Sequence, residues 1–404
     1  MLTFHMNKRV IPYGRQSITQ DDIDAVIEVL QSDFLTQGPY IQAFEEAFAQ
    51  YVSSKYAVAV ANGTAALHLS TMALGVTPGQ KVITTPITFA ASANSVRYCG
   101  GEVIFSDIDP TTYLIDIEKI RNYLESTPNH GVVGIIPVDF TGRAVNLEQL
   151  NSLAKEFNLW IIEDACHAPG GYFIDSQGNN QKCGNGKFAD LSIFSFHPVK
   201  HIASGEGGMI TTNDKSLYLE LLKLRSHGIT KNEADYKNTQ EIAVGQTLSN
   251  DSEWPNWYME MQELGYNYRL TDIQAALGLS QLKKADAGLK RRRQIAELYE
   301  DKLSDLDGVI NTSGIIEGHA YHLYVIEVEN RIGLYNHLRD NNIFAQIHYI
   351  PTHLMPYYQR FGWKKGDLPE AENYYSGCLS LPMYPTLSLE EQKFVIEKIE
   401  EFMR

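Results

Sequence analysis

The chain has 404 residues and a formal charge of −15. It is long enough for two domains and too acidic for a protein whose main partner is a nucleic-acid backbone. With 44% hydrophobic and 21% charged residues it reads as an ordinary globular chain, which excludes fibrous and low-complexity classes.

The first nine residues carry charge where a secretory signal needs an apolar stretch. Thr19 then precedes an acidic first turn and apolar residues at helical spacing, which predicts a capped helix ending near Leu30. A second helix is predicted over 41–51. Tyr56-Ala57-Val58-Ala59-Val60 reads as a strand, Asn62-Gly63-Thr64 as a turn, and Ala65 onward as a helix. The same alternation returns at 81–84 and 89–96, and again at 132–138 and 147–157. The apolar runs 160–164 and 191–196 add two further strands.

Short strands that are apolar on both faces and separated by helices predict a mainly parallel α/β sheet. In such sheets ligands bind beyond the C-terminal ends of the strands. That places Asn62-Gly63-Thr64, residues 85–89, Asp139-Phe140, Asp164 and residues 195–200 near a site. Residues 230–257 turn polar and aperiodic, which predicts a long loop of the kind that serves active sites. Helices over 272–284 and 290–306, an apolar run at 321–326 and a final helix over 389–403 read as a smaller α+β domain.

Four cysteines, Cys99, Cys166, Cys183 and Cys378, form no C-x-x-C pair, and no run approaches the roughly twenty apolar residues of a membrane span. A reduced, cytoplasmic setting with no membrane partner is the expectation.

The chemistry concentrates around Lys200, which follows a strand end and Pro198 and precedes Gly205-Glu206-Gly207-Gly208. Small residues there allow close approach, and partial desolvation lowers a lysine pKa and makes its amine a nucleophile. Asp164 ends an apolar strand, where a carboxylate needs a partner. A lysine for a Schiff base and an aspartate beside a ring nitrogen are the pair that pyridoxal phosphate requires. Asn62-Gly63-Thr64-Ala65 offers a glycine turn and a helix start suited to a phosphate, with Ser195 adding a hydroxyl. Phe89 can stack on an aromatic ring. His167, His197 and His201 lack the regular spacing of metal ligands, so no metal is expected. The glycine run lacks P-loop spacing, and no G-x-S-x-G elbow occurs.

Five segments in order carry a resemblance to a known family: Asn62-Gly63-Thr64-Ala65-Ala66-Leu67-His68, Glu163-Asp164-Ala165-Cys166-His167, Ser195-Phe196-His197-Pro198-Val199-Lys200, Gly205-Glu206-Gly207-Gly208 and Leu264-Gly265-Tyr266-Asn267-Tyr268-Arg269. They resemble the DegT-type sugar-nucleotide aminotransferases, from about Ile11 to the C-terminus. The resemblance implies the fold-type I architecture of pyridoxal 5'-phosphate enzymes. A large cofactor domain over 16–270 would hold a mainly parallel seven-stranded sheet. A smaller α+β domain would span 271–404, with residues 1–15 packing on it.

It also implies roles. Lys200 would carry the cofactor and move protons, and Asp164 would pair with the ring nitrogen. Phe89 would stack on the ring, while Thr64, Ala65 and Ser195 would hold the phosphate. His167 stands where many relatives carry Gln, near the cofactor's O3′. Asn267 would reach the cofactor phosphate of a neighbouring subunit, making a homodimer with shared sites. Arg269, His322, His348 and His353 are candidate substrate contacts.

Within the family, His197-Pro198-Val199-Lys200, Asp164-Ala165-Cys166-His167 and Trp257-Tyr258-Met259-Glu260-Met261-Gln262 resemble the pseudaminic-acid branch. That branch aminates C4 of a UDP-linked 4-keto-6-deoxy-N-acetyl sugar, with L-glutamate as the expected donor. The alternatives are a perosamine-type C4-keto or a C3-keto nucleotide sugar, and a cofactor-binding regulator without turnover. The presence of Lys200 and Asp164 argues against the last.

Overall fold

Val, Ile and Ala fill the central strands because both faces of the sheet are covered by helices. Each fully buried Val or Ile contributes about 1.5–3 kcal/mol. That matches or exceeds the cost of about 1–2 kcal/mol for fixing one residue's backbone. The structure, a computed structural model, describes residues 10–245 and 254–404.

Its main sheet has seven strands: β1 (Tyr56–Val60), β2 (Lys81–Thr84), β3 (Glu102–Phe105), β4 (Val132–Ile136), β5 (Trp160–Asp164), β6 (Leu191–Ser195) and β7 (Gly208–Thr212), in the order β1-β7-β6-β5-β4-β2-β3. β7 alone runs antiparallel, to β6 on one side and β1 on the other. The other pairings are parallel. The C-terminal ends of β1, β2, β4, β5 and β6 therefore share one edge. This is the mainly parallel sheet of a fold-type I enzyme.

Two strands escaped the sequence reading. Glu102–Phe105 is too short to show a period, and Gly208–Thr212 begins on the last residue of a glycine run that reads as a turn. Gly208 is needed at that point, since a Cβ there would lie 2.6 Å from the Asn62 backbone carbon and oxygen.

A second core forms around a three-stranded sheet, Val309–Thr312, Tyr324–Val328 and Cys378–Leu381, with the helices Ala285–Leu303 and Leu389–Met403. Ile11 belongs to this core, because Ile11–Pro12 pairs in parallel with Ile343–Phe344. Asp22, expected only as part of an acidic first turn, proves fully buried. It accepts from Thr19 N–H at 2.8 Å and from Ser280 Oγ at 2.7 Å, and pairs with Lys284. It thereby ties the first helix, Gln20–Leu30, to Asp272–Leu282.

The polar segment 230–257 carries local structure among its described residues. Ile229–Thr230 pairs with Glu260–Met261, and Gln240–Val244 is helical. Residues 246–253 lie outside the described residues. No helix among the described residues is long and apolar enough to cross a membrane.

Candidate active site

The strand ends open into a cleft of about 680 Å³. It is lined by Asn62, Gly63, Thr64, Phe89, Asp164, His167, Ser195 and Lys200 from the sheet side, and by Tyr13, Gln346, His348 and Tyr349 from the second core. β5 delivers Asp164 at its last position, 5% exposed. Its Oδ2 accepts from Ser92 Oγ at 2.7 Å and its Oδ1 from Cys166 N–H at 3.2 Å. Two donors to a buried carboxylate offset the cost of desolvating its charge. Ser92 is held in turn by Thr88, hydroxyl to hydroxyl at 2.8 Å.

Lys200 sits in the loop between β6 and β7. Phe196 N–H donating to Gly207 O at 2.8 Å and Ser204 N–H to Phe196 O at 2.9 Å close that loop, and Gly205 takes a positive φ of 84°. Burial lowers the Lys200 pKa below the usual lysine range; the Cys166 and Asp164 charges oppose the shift, and Arg292 adds to it. Its Nζ lies 3.4 Å from His322 Nε2. A lysine that more readily gives up its proton is suited to act as nucleophile and base.

Around it stand buried histidines. The His167 and His322 ring centroids are 4.3 Å apart, and His167 Nε2 lies 3.3 Å from the Tyr349 hydroxyl. Burial first, then the Lys200 charge, pushes both imidazoles well below their ordinary pKa, and the same causes bring His348 down to about 3. His167 Nδ1 is buried and has no protein partner among the described residues.

The helix Gly63–Ala73 starts at the cleft with Asn62 as its cap, Oδ1 accepting from Ala65 N–H at 2.8 Å. The cap takes up the Ala65 amide and leaves the first-turn amides of Gly63 and Thr64 facing the cleft, a favourable end for an anion. Gly63 packs closely here: a Cβ on it would lie 3.0 Å from Ser195 Cβ. Phe89 is 64% exposed at the cleft, an unusual state for phenylalanine and one that suits a stacked ring.

An anion-binding helix start, a flat aromatic face, a donor-stabilised aspartate and a desolvated lysine fit pyridoxal phosphate. The unpartnered His167 Nδ1 leaves one further polar atom for the ring.

The structure separates the other residues named from the sequence. His348 lines the cleft, its Nδ1 2.8 Å from Ser380 Oγ. His322 faces Lys200 rather than open space. His353 lies off the cleft, fully buried, with Nε2 3.1 Å from Glu372 Oε1. Arg269 is bridged to Val60 and Asn267 to Ser226; neither lines the cleft of its own chain. Ser92, Tyr13 and Gln346 were missed. Ser92 lies in an alanine-rich helix start without any polar pattern, and the other two follow the short pair Ile11–Pro12 and Ile343–Phe344, which no motif marks.

Fold and site together define a pyridoxal phosphate-dependent enzyme of fold type I. Residues 16–400 match the DegT/DnrJ/EryC1/StrS aminotransferase family, and the chain belongs to it. It is 35% identical over 395 residues to the UDP-4-amino-4,6-dideoxy-N-acetyl-beta-L-altrosamine transaminase of Campylobacter jejuni, covering 96% of each chain. To the GDP-perosamine synthase of Escherichia coli O157:H7 it is 34% identical, over 98% of this chain and 99% of the other. The structure resembles Helicobacter pylori PseC, an aminotransferase of pseudaminic acid biosynthesis, with TM-score 0.85, 29% identity and 98% and 99% coverage. It also resembles the putative sugar aminotransferase Spr1654 of Streptococcus pneumoniae in its PLP form, with TM-score 0.84, 26% identity and 98% and 99% coverage.

Proposed function

We propose that this enzyme transfers the amino group of L-glutamate to C4 of a UDP-linked 4-keto-6-deoxy-N-acetyl-hexosamine, the amination step of pseudaminic acid formation. The observation that carries the reading is Lys200 desolvated beside His322 in a cleft that also holds Asp164. Similarity to the Campylobacter transaminase and to PseC supports the choice of sugar. Nearly equal identity to GDP-perosamine synthase keeps a perosamine-type C4 substrate as the competing outcome of the test.

The cofactor, when bound, supplies an electron-withdrawing ring that takes the amino group from one substrate and yields it to the other. The chain does the rest. Asp164, fixed by Ser92 and Cys166, would hold the proton on the cofactor's ring nitrogen. Lys200 would take the proton from glutamate Cα and later return one to the sugar carbon. Its lowered pKa makes the uncharged amine more accessible than that of an ordinary lysine. The Gly63 and Thr64 amides with the Thr64 and Ser195 hydroxyls would hold the phosphate, the Ala65 amide being taken by Asn62, and Phe89 would cover one ring face.

Tyr13, Gln346 and His348 form the opposite wall and would meet the sugar. Tyr13 packs on His348 at 5.2 Å between centroids, and its hydroxyl has no partner among the described residues. We further propose a homodimer in which Asn267, exposed and remote from its own cleft, completes the partner's phosphate site. The exposed Leu264 and half-exposed Tyr266 on the same segment fit burial against a second copy. UDP- and GDP-linked keto-sugars offered with glutamate, with products read by mass, test the assignment. Amination of the UDP-4-keto-N-acetyl sugar is expected, and preference for the GDP sugar would replace it.

A further inference from the structure

Beneath the cleft floor two carboxyl groups are buried side by side. Asp139 follows β4 and is 1% exposed; Glu163, next to Asp164 on β5, is 2% exposed. One ligand-type atom from each, together with Cys183 Sγ, lies within 4.8 Å of the others. Asp139 Oδ1 accepts from Val145 N–H at 2.8 Å, and Glu163 Oε2 from Gly184 N–H at 2.9 Å. Asp139 Oδ2 is buried with no N–H or O–H donor among the described residues; the Cys183 thiol is the donor that faces this carboxyl. Neither carboxyl has an ion-pair partner among them, and no cation appears among the groups that perturb either one. The other titratable groups facing the pair are thiols, Cys183 in contact and Cys166 beyond it. Two ionised carboxylates this close, unpaired and out of water, would repel strongly while each bore a full desolvation cost.

We propose that Asp139 and Glu163 share a single proton, with Asp139 Oδ2–H donating to Glu163, and that this singly charged pair positions Asp164. The proton supplies the donor that the orphaned oxygen lacks, and it removes one of the two charges. Burial holds both carboxyls above the ordinary carboxylate range, and the Glu163 charge adds to the shift at Asp139. A divalent cation is the competing occupant of these three ligand atoms. Binding one would displace the proton of the Cys183 thiol, whose pKa burial and the two carboxyls raise, so metal content is read directly in the test below.

The connection to the site is short: Glu163 directly precedes Asp164, and backbone hydrogen bonds join Asp164 to the Asp139 segment. Asp139 N–H donates to Asp164 O at 3.0 Å, and Asp164 N–H donates to Pro137 O at 2.9 Å. The residue that closes the pair therefore also clamps the end of β5. The shared proton stands independently of the aminotransferase reading; only its consequence for Asp164 rests on it.

The test compares wild-type holoenzyme with D139N and D139L. In D139N the amide N–H replaces the shared proton as donor to Glu163; in D139L no donor remains. Infrared difference spectra at neutral pH should show a protonated carboxyl C=O band in the wild type that is lost in D139N. Cofactor affinity should be retained in D139N and fall about tenfold or more in D139L, the scale of one buried unsatisfied acceptor. The folded chain keeps this proton to higher pH than the unfolded chain. Its stabilisation is therefore present at low pH and lost as pH rises through the folded titration. Wild-type stability should show that fall as pH rises above the ordinary carboxylate range, and D139N should not. If D139L does not fold, the D139N spectra and pH profile still decide. A stoichiometric metal in the purified enzyme, the absence of the protonated band, or cofactor loss in D139N would overturn the proposal. A pair that behaves as described in a protein that fails to transaminate would instead refute the functional reading.

Discussion

Ser92 Oγ donates to Asp164 Oδ2 at 2.7 Å, joining the first turn of the helix Ala91–Tyr98 to the last residue of β5. Asp164 is proposed to face the cofactor's ring nitrogen, so this bond fixes the direction of the carboxylate. Ser92→Ala removes one of its two donors. Hydrogen bonds to charged groups contribute about 1.5–3 kcal/mol, so cofactor affinity should fall roughly tenfold to a hundredfold. Absorbance titration with pyridoxal phosphate measures it, and unchanged affinity would show that Cys166 N–H suffices.

Lys200→Ala should abolish transamination while leaving secondary structure and oligomeric state intact, because the side chain packs at the cleft surface rather than in either core. Loss of a positioned acid–base group costs about 10²–10⁴-fold in rate. Measured turnover within tenfold of wild type would remove Lys200 from its role.

Acid should destabilise the fold earlier than carboxylate chemistry alone predicts. His167, His319, His322 and His348 are buried and held below the ordinary 6.5, with His319 and His348 down to about 3. The unfolded chain binds these protons near pH 6.5 and the folded chain does not. Stability therefore falls as pH drops from about 6.5 towards 3, by up to about 1.4 kcal/mol per pH unit for each group. Thermal melts between pH 7 and pH 5 test this, and a flat profile would place charged imidazoles in the fold.

Asn267→Ala should weaken cofactor binding in the partner's site. Co-expressed Lys200→Ala and Asn267→Ala chains should regain activity that neither homodimer has, since one of the two sites in a mixed dimer carries neither change. No recovery in the mixed dimer would argue that each site is built from one chain.

Much of this was legible in the sequence, for a physical reason. Runs such as Tyr56–Val60 and Trp160–Asp164 reveal strands because parallel strands bury both faces, and chemistry in such sheets gathers where those runs stop. Asp164, Lys200 and Asn62-Gly63-Thr64 were found in this way. Ser92 was invisible, as one small polar residue among alanines acquires meaning only through the carboxylate beside it. His353 shows the reverse: a histidine close in sequence to His348 turns into the core and satisfies Glu372, and linear proximity carries no sign of that turn. Asp139 follows β4 and Glu163 lies on β5, so only the sheet order brings them together.

The proposed activity is tested most directly by incubating purified, cofactor-loaded enzyme with glutamate and the UDP-4-keto-6-deoxy-N-acetyl sugar, then reading the product by mass and by NMR at C4. Exchange of the C4 ketone for an amine, with matching 2-oxoglutarate release and dependence on Lys200, is the predicted result. Sugar recovered unchanged while a GDP-linked or C3-keto sugar is aminated under the same conditions would contradict it.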